Sequence, residues 1–228
     1  MGALTGWLDE FAWGAFLILR VFLVAAAFTL VFGVVGAAAR LSGGVWARLA
    51  GVYVTVFRGT PELLVLLLFY FGGAVTLTAL ARLADPGAGF VDIPPFWAGA
   101  LAIALIAGAY ATETFRGAFL GVAPGQIEAA RALGLAPWAI LLFVRLPQAW
   151  RIALPSLGNH LIGLMKDTAL VSVIGLNEIM FTAKMATSVT GQPFTMFAAV
   201  AVIYLAFTTA LSAALAAAER RARRHLAR

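Results

Sequence analysis

The side chains best suited to chemistry cluster in one otherwise apolar stretch, residues 155–181, which carries Asn159, His160, Lys166, Asp167, Asn177 and Glu178. At about 100° per residue, positions seven or eleven apart return to within about 20° of one another on a helix. An unbroken helix therefore puts His160, Asp167 and Glu178 on one face and Asn159, Lys166 and Asn177 on the adjacent one. Ionisable groups at membrane depth are costly and usually turn towards a bundle interior or a water-filled path. The chemistry such a stripe suits is recognition of a polar or charged solute, with Asp167 as its centre and Lys166 as the nearest charge partner. His160, near the helix start, reads as a hydrogen-bonded structural residue. A second acid, Glu113, lies three residues before Arg116. That spacing allows a local ion pair, and it equally allows Glu113 to face a polar pathway. No phosphate-binding G-x-x-x-x-G-K-[ST], His-Glu-x-x-His or G-x-S-x-G occurs, so no catalytic or metal-binding set is expected.

The elements that must position these residues are apolar helices. The chain has 228 residues, of which 63% are hydrophobic and only 11% charged. Soluble domains are roughly half apolar and a quarter charged, so the composition indicates an all-α, polytopic membrane bundle forming one domain over 1–228. Spans of about 20 apolar residues are expected at 14–38, 61–82, 94–115, 155–181 and 194–217. Thr60 is expected to cap the second span, with Pro61 at its first helical position. Glu62 would sit in the first turn, in a helix-end electrostatic role. Arg20 is expected to snorkel to an interface. Residues 1–13 lack a basic segment, which argues against a cleaved signal peptide. With no cysteine, disulfide and thiolate chemistry drop out. The net charge of +6 resides at the ends of apolar runs and is no sign of nucleic-acid binding.

Lys plus Arg number 0, 3, 1, 4, 1 and 5 in segments 1–13, 39–59, 82–93, 116–154, 182–193 and the tail. Basic flanks stay cytoplasmic. The alternation places the N-terminus outside, the C-terminus inside and the 124–147 segment between spans three and four in the cytosol. In that segment Pro124-Gly125 opens a short helix and Gly134 can close it in the left-handed conformation. Pro137 starts a second short helix, Trp138 to Arg145, which Leu146-Pro147 is expected to end.

The pattern Glu128-Ala129-Ala130, Gly134, Val144, Leu146-Pro147 resembles the EAA loop of ABC-transporter permease subunits, in which this loop is the coupling helix docked on the ATPase. Residues 57–73 (FRGTPELLVLLLFYFGG), 108–118 (GAYATETFRGA) and 154–180 (LPSLGNHLIGLMKDTALVSVIGLNEIM) resemble blocks of the polar amino-acid uptake permeases, closest to the Q-type subunits of histidine, lysine-arginine-ornithine, octopine or nopaline systems. The resemblance implies a bacterial inner-membrane permease subunit of an ATP-driven importer for polar amino acids, basic ones or opines foremost. It implies an M-type partner permease, an ABC ATPase dimer that binds the ATP, a periplasmic or extracellular solute-binding protein and surrounding lipid, with no cofactor of its own. ATPase coupling would fall to Glu128, Ala129, Ala130, Gly134, Leu146 and Pro147, and the substrate pathway to Glu113, Asn159, Lys166, Asp167 and Glu178. An ion-coupled secondary transporter is the alternative. Its usual internal repeats are not visible here.

Overall fold

The computed structural model describes residues 2–223. The end of the basic tail, including His225, lies outside them. After a single turn, Gly2–Thr5, the chain forms α1 (Leu8–Ser42), α2 (Gly44–Gly59), α3 (Glu62–Ala84), α4 (Pro95–Leu120), α5 (Pro124–Ala132), α6 (Pro137–Ile174), α7 (Ile179–Thr190) and α8 (Pro193–Arg223). Four of these, α1, α3, α4 and α8, are long and apolar enough to cross a membrane. The pair α6 and α7, bent by 53°, makes a fifth span if taken as one unit.

Acids in the first turn (Asp9, Glu10) and Arg40 in the last suit the α1 dipole. Gly43 and Gly44, at φ +79° and +60°, stop it. Its 35 residues rise about 50 Å at 1.5 Å each, more than a bilayer core of about 30 Å, so it overshoots the expected 14–38. Residues 39–59, read from the sequence as a basic flank, are instead mostly helical: α2 packs on α1 and α4. Three widely spaced arginines, Arg40, Arg48 and Arg58, gave the stretch the look of a basic flank.

The central helix is α4, opened by Pro94 as N-cap and Pro95. It packs closely along α1 through small residues. A side chain at Gly33 would meet the Ala111 Cβ at 2.7 Å, and one at Gly36 would collide with Thr112. In lipid, where apolar surface gains nothing by leaving the solvent, such close backbone approach is what holds helices together. The main core joins Ile18, Val21 and Phe22 of α1, Ile103 and Ala104 of α4, Leu164 and Met165 of α6, Ile179 of α7 and Met196 of α8.

Several helix boundaries differ from expectation. Pro61 is the N-cap of α3 and Glu62 its first residue, while the Thr60 hydroxyl donates back to the Val56 carbonyl at 2.8 Å and closes α2. Leu146-Pro147 does not end a short helix. The chain passes from Pro137 through a widened π turn, Ile140–Arg145, straight into Leu146–Asp167, so Pro155 lies inside a helix instead of opening one. The π turn directly precedes Pro147, where the widened turn takes up that proline's missing N–H and ring clash. The stretch 155–181 is not one helix either. After Asp167 it tightens into a 3₁₀ segment, Thr168–Ile174, and Gly175 turns it at φ +87°. Residues expected as a loop after Phe181 are helical to Thr190, because Glu178 caps them.

Candidate functional site: a polar chamber and a short-helix elbow

Two adjoining cavities of about 340 and 190 Å³ share Tyr110, Asn159 and His160 as wall residues. The smaller is completed by Glu62, Ile106, Ala107, Gly163 and Asp167, the larger by Arg58, Glu113, Thr114 and Ser156. Volumes of this order suit a small ligand. The chamber is assembled from α2, α3, α4 and α6, so no single sequence segment contains it.

His160 and Asp167 do share a face, about two helical turns apart, and Asn159 borders the same space. His160 is hydrogen-bonded through Nε2 to the Thr114 hydroxyl at 3.0 Å and lies 5.6 Å from the Tyr110 ring, in keeping with a structural, hydrogen-bonded role. The Arg58 guanidinium sits 5.0 Å from the centre of the Tyr110 ring. Asp167 falls in the last α-helical turn of its segment, where the helix dipole disfavours an acid. Helix stability gives no reason for an aspartate there, which is the mark of a residue retained for another purpose. Glu62, assigned from the sequence to helix-end electrostatics, also faces this chamber. The chamber thus has an acid on each of two helices.

The remaining expected pathway residues part company. Glu178 leaves the stripe, because the Gly175 turn rotates it away. It is fully buried and caps α7, accepting from the Met180 N–H at 2.9 Å and the Phe181 N–H at 3.1 Å. Asn177, on the same turn, borders a different cavity with Trp7 and Asp9. Lys166 is exposed and forms no ion pair with Asp167 among the described residues. Glu113 makes the expected i, i+3 pair with Arg116 at 2.7 Å and a second, with Arg40 of α1, at 3.2 Å. Nothing local in the sequence signals Arg40, which lies 73 residues away. Two guanidiniums occupy both carboxylate oxygens, so Glu113 binds α1 to α4 at the chamber's edge.

The elbow between α4 and α6 has the expected local form. Pro124 begins α5 at its first position. At the other end the Leu135 N–H reaches the Ala130 carbonyl at 3.1 Å and the Gly134 N–H reaches that of Arg131 at 2.9 Å. With Gly134 at φ +77°, these are the paired bonds of a Schellman cap. Glu128 and Ala129 are exposed, while Ala130 is buried on the side that packs against residues 140–145. Leu133 and Trp138, 81% and 66% exposed, flank the elbow. An apolar pair left in solvent beyond the apolar spans suits a protein partner.

A family model for binding-protein-dependent transport system inner membrane components matches residues 29–224. The chain is 46% identical over 221 residues to the nopaline transport system permease protein NocQ of Agrobacterium fabrum, covering 96% of this chain and 94% of that one. It is 37% identical over 212 residues to the histidine/lysine/arginine/ornithine transport system permease protein HisQ of Escherichia coli, covering 91% of each. Among solved structures it resembles a chain of an amino acid ABC transporter crystallised with histidines, at 32% identity, TM-score 0.80 and 96% coverage of both chains. A chain of the MetNI methionine ABC transporter shares the fold, with TM-score 0.74 at 20% identity.

Proposed function

We propose a function from the premise that this chain belongs to the family of binding-protein-dependent transport system inner membrane components. It is a multi-pass permease subunit of an ABC importer, and its cargo is a polar, basic amino acid or opine. The observation that carries the cargo reading is the chamber bordered by Glu62 and Asp167 from two different helices. Two carboxylates at membrane depth suit a guanidinium or ammonium group, and Asn159 and Tyr110 add polar and aromatic wall. Arg58, beside the second cavity, is placed to meet the solute's carboxylate. Of the pathway residues expected from the sequence, Asp167 and Asn159 are proposed to touch solute. Glu113 and Glu178 are proposed to hold the walls, and Lys166, facing out, to meet lipid headgroups or the paired permease.

The chain is a transport subunit and not a catalyst, and we assign ATP binding and hydrolysis to a separate ATPase dimer. The α5 elbow is the proposed handle for that motor, with Glu128, Ala129 and Gly134 at the contact, Ala130 fitting the helix to its own bundle, and Leu146-Pro147 stiffening the return into α6. A second permease chain and an extracytoplasmic solute-binding protein complete the assembly. The orientation is N-terminus outside, elbow in the cytosol. ATP-driven closure of the motor then rocks the helices between inward- and outward-open packings, a population shift between two states of one bundle.

Uptake and ATP hydrolysis measured together in proteoliposomes holding the complete complex test this. Glu128→Lys is expected to abolish uptake while basal hydrolysis persists. Full coupling in that variant would refute the elbow assignment. Asp167→Asn is expected to lower uptake of a cationic solute about tenfold or more, in line with losing a charge-assisted contact in a partly buried site. An unchanged uptake rate would remove Asp167 from the pathway.

A further inference from the structure

A crevice of about 420 Å³ lies on the flank of the bundle at its elbow end, where α1, α4 and α6 meet. It shares no wall residue with the polar chamber. On α1 its wall runs from Val34 to Leu41, about 10 Å at 1.5 Å per residue. Phe115 and Phe119 close it from the last turns of α4, and Leu146 and Trp150 from α6. The Phe115 and Trp150 rings stack with their centres 6.4 Å apart. Every wall residue is hydrophobic. Val34 is nevertheless 54% exposed and Trp150 47%, so the crevice opens outward from the bundle. Tryptophan is enriched where a membrane's apolar core meets its headgroups.

The two ends of the crevice differ. Val34 marks the end deeper in the span. At the other end stands Arg145, in the π turn that leads into the long part of α6. Its guanidinium carbon lies 3.7 Å from the centre of the Phe119 ring, which is crevice wall. The one hydrogen bond it makes among the described residues is long, from Nη2 to the Phe119 carbonyl at 3.5 Å. Its Nε is buried without a partner, and no carboxylate pairs with it among the described residues. A half-buried charge of this kind is costly unless an anion meets it. Arg40 and Arg116, next in the chain to the wall residues Leu41 and Phe115, share the single carboxylate of Glu113. That group sets three guanidiniums against one acid.

We propose that this crevice binds one anionic phospholipid, with an acyl chain between α1, α4 and α6 and its phosphate on Arg145. The order of the parts carries the proposal: apolar walls run inward from a cationic end, as an acyl chain runs inward from its headgroup. Guanidiniums suit phosphate oxygens in particular, and basic pockets between spans are where anionic headgroups settle. A zwitterionic lipid brings its own cation to the same place and gains less. An apolar helix of another subunit would fill the walls and leave Arg145 unpaired. A lipid held there ties the end of α1 to the segment that returns from the elbow. The inference needs only that the bundle sits in a membrane, and it depends on neither the cargo nor the orientation.

The test titrates the complete complex in detergent with phosphatidylglycerol and with phosphatidylcholine of the same chains, read by native mass spectrometry. Phosphatidylglycerol is expected to bind about tenfold more tightly, the scale of one charge-assisted contact. Arg145→Gln is expected to remove that preference. Arg48→Gln, which takes the same charge from an exposed position on α2, is expected to retain it. Ala38→Trp fills the crevice from an exposed wall position and leaves every charge in place. It is expected to lose the tight phosphatidylglycerol adduct at an unchanged unfolding temperature, and it decides the matter if Arg145→Gln does not assemble. Equal affinities in the unmodified complex, or a preference that survives Arg145→Gln or Ala38→Trp, would overturn the site. A benzophenone photo-crosslinker placed at position 38 is expected to capture lipid. Capture of another subunit instead would overturn the proposal and assign the crevice to a protein contact.

Discussion

Glu178 illustrates how one residue's meaning depends on its neighbours. Periodicity groups it with His160 and Asp167, yet Gly175 turns the chain and converts it into the cap of α7. Its carboxylate then satisfies two N–H groups inside the bundle. Glu178→Ala is expected to destabilise the protein by about 1–2 kcal/mol, the cost of a lost cap, and thermal unfolding in detergent would measure it. Glu113 makes the opposite case, since its local pair with Arg116 was legible from spacing while its bond to Arg40 was not. Glu113→Gln leaves two guanidiniums sharing one weaker acceptor. It is expected to lower the unfolding temperature more than Arg116→Gln does, because the Arg116 change leaves the α1–α4 link to Arg40 in place.

At the scale of elements, the contact between α1 and α4 depends on absent side chains. Gly33 and Gly36 present bare backbone to Ala111 and Thr112, and dispersion at that distance does the work that burial from water does in soluble proteins. Gly36→Leu is expected to push the helices apart, at a cost of about 1–3 kcal/mol for overpacking. A scanning thermal-shift assay on the purified complex would read it, with Gly117→Leu, where a side chain would meet nothing within 4 Å, as the harmless control. The elbow obeys simpler rules. Proline at the start, glycine in the left-handed region at the end and alanines between make α5 short and closely approachable.

For the whole molecule, orientation decides everything functional, since the same bundle inverted would offer its elbow to the wrong side. The absence of cysteine makes single-cysteine labelling clean. A membrane-impermeant maleimide is expected to modify Glu128→Cys only in inside-out vesicles and Asp9→Cys in right-side-out spheroplasts. Labelling of Glu128→Cys from outside would reverse the topology. The bundle also leaves much of α8 and the outer faces of α2 and α3 exposed and apolar, Val52, Leu68 and Leu205 among them. Such surfaces suit a bundle that crosses a lipid membrane.

Local physics was readable in advance: apolar runs long enough to span, prolines that open α4, α5 and α6, and the left-handed glycine closing α5. Each depends on residues within a few positions of one another, which a linear text displays. What only the folded bundle decided depends on residues far apart. The Arg40–Glu113 bridge, the meeting of Glu62 with Asp167, the α2 helix wedged against α4 and the separation of Glu178 from the pathway all follow from how helices cross and bend. A proline absorbed by a π turn and a glycine that rotates a helix end change which faces meet. Such bends are selected by packing energy, to which many distant side chains contribute small amounts at once.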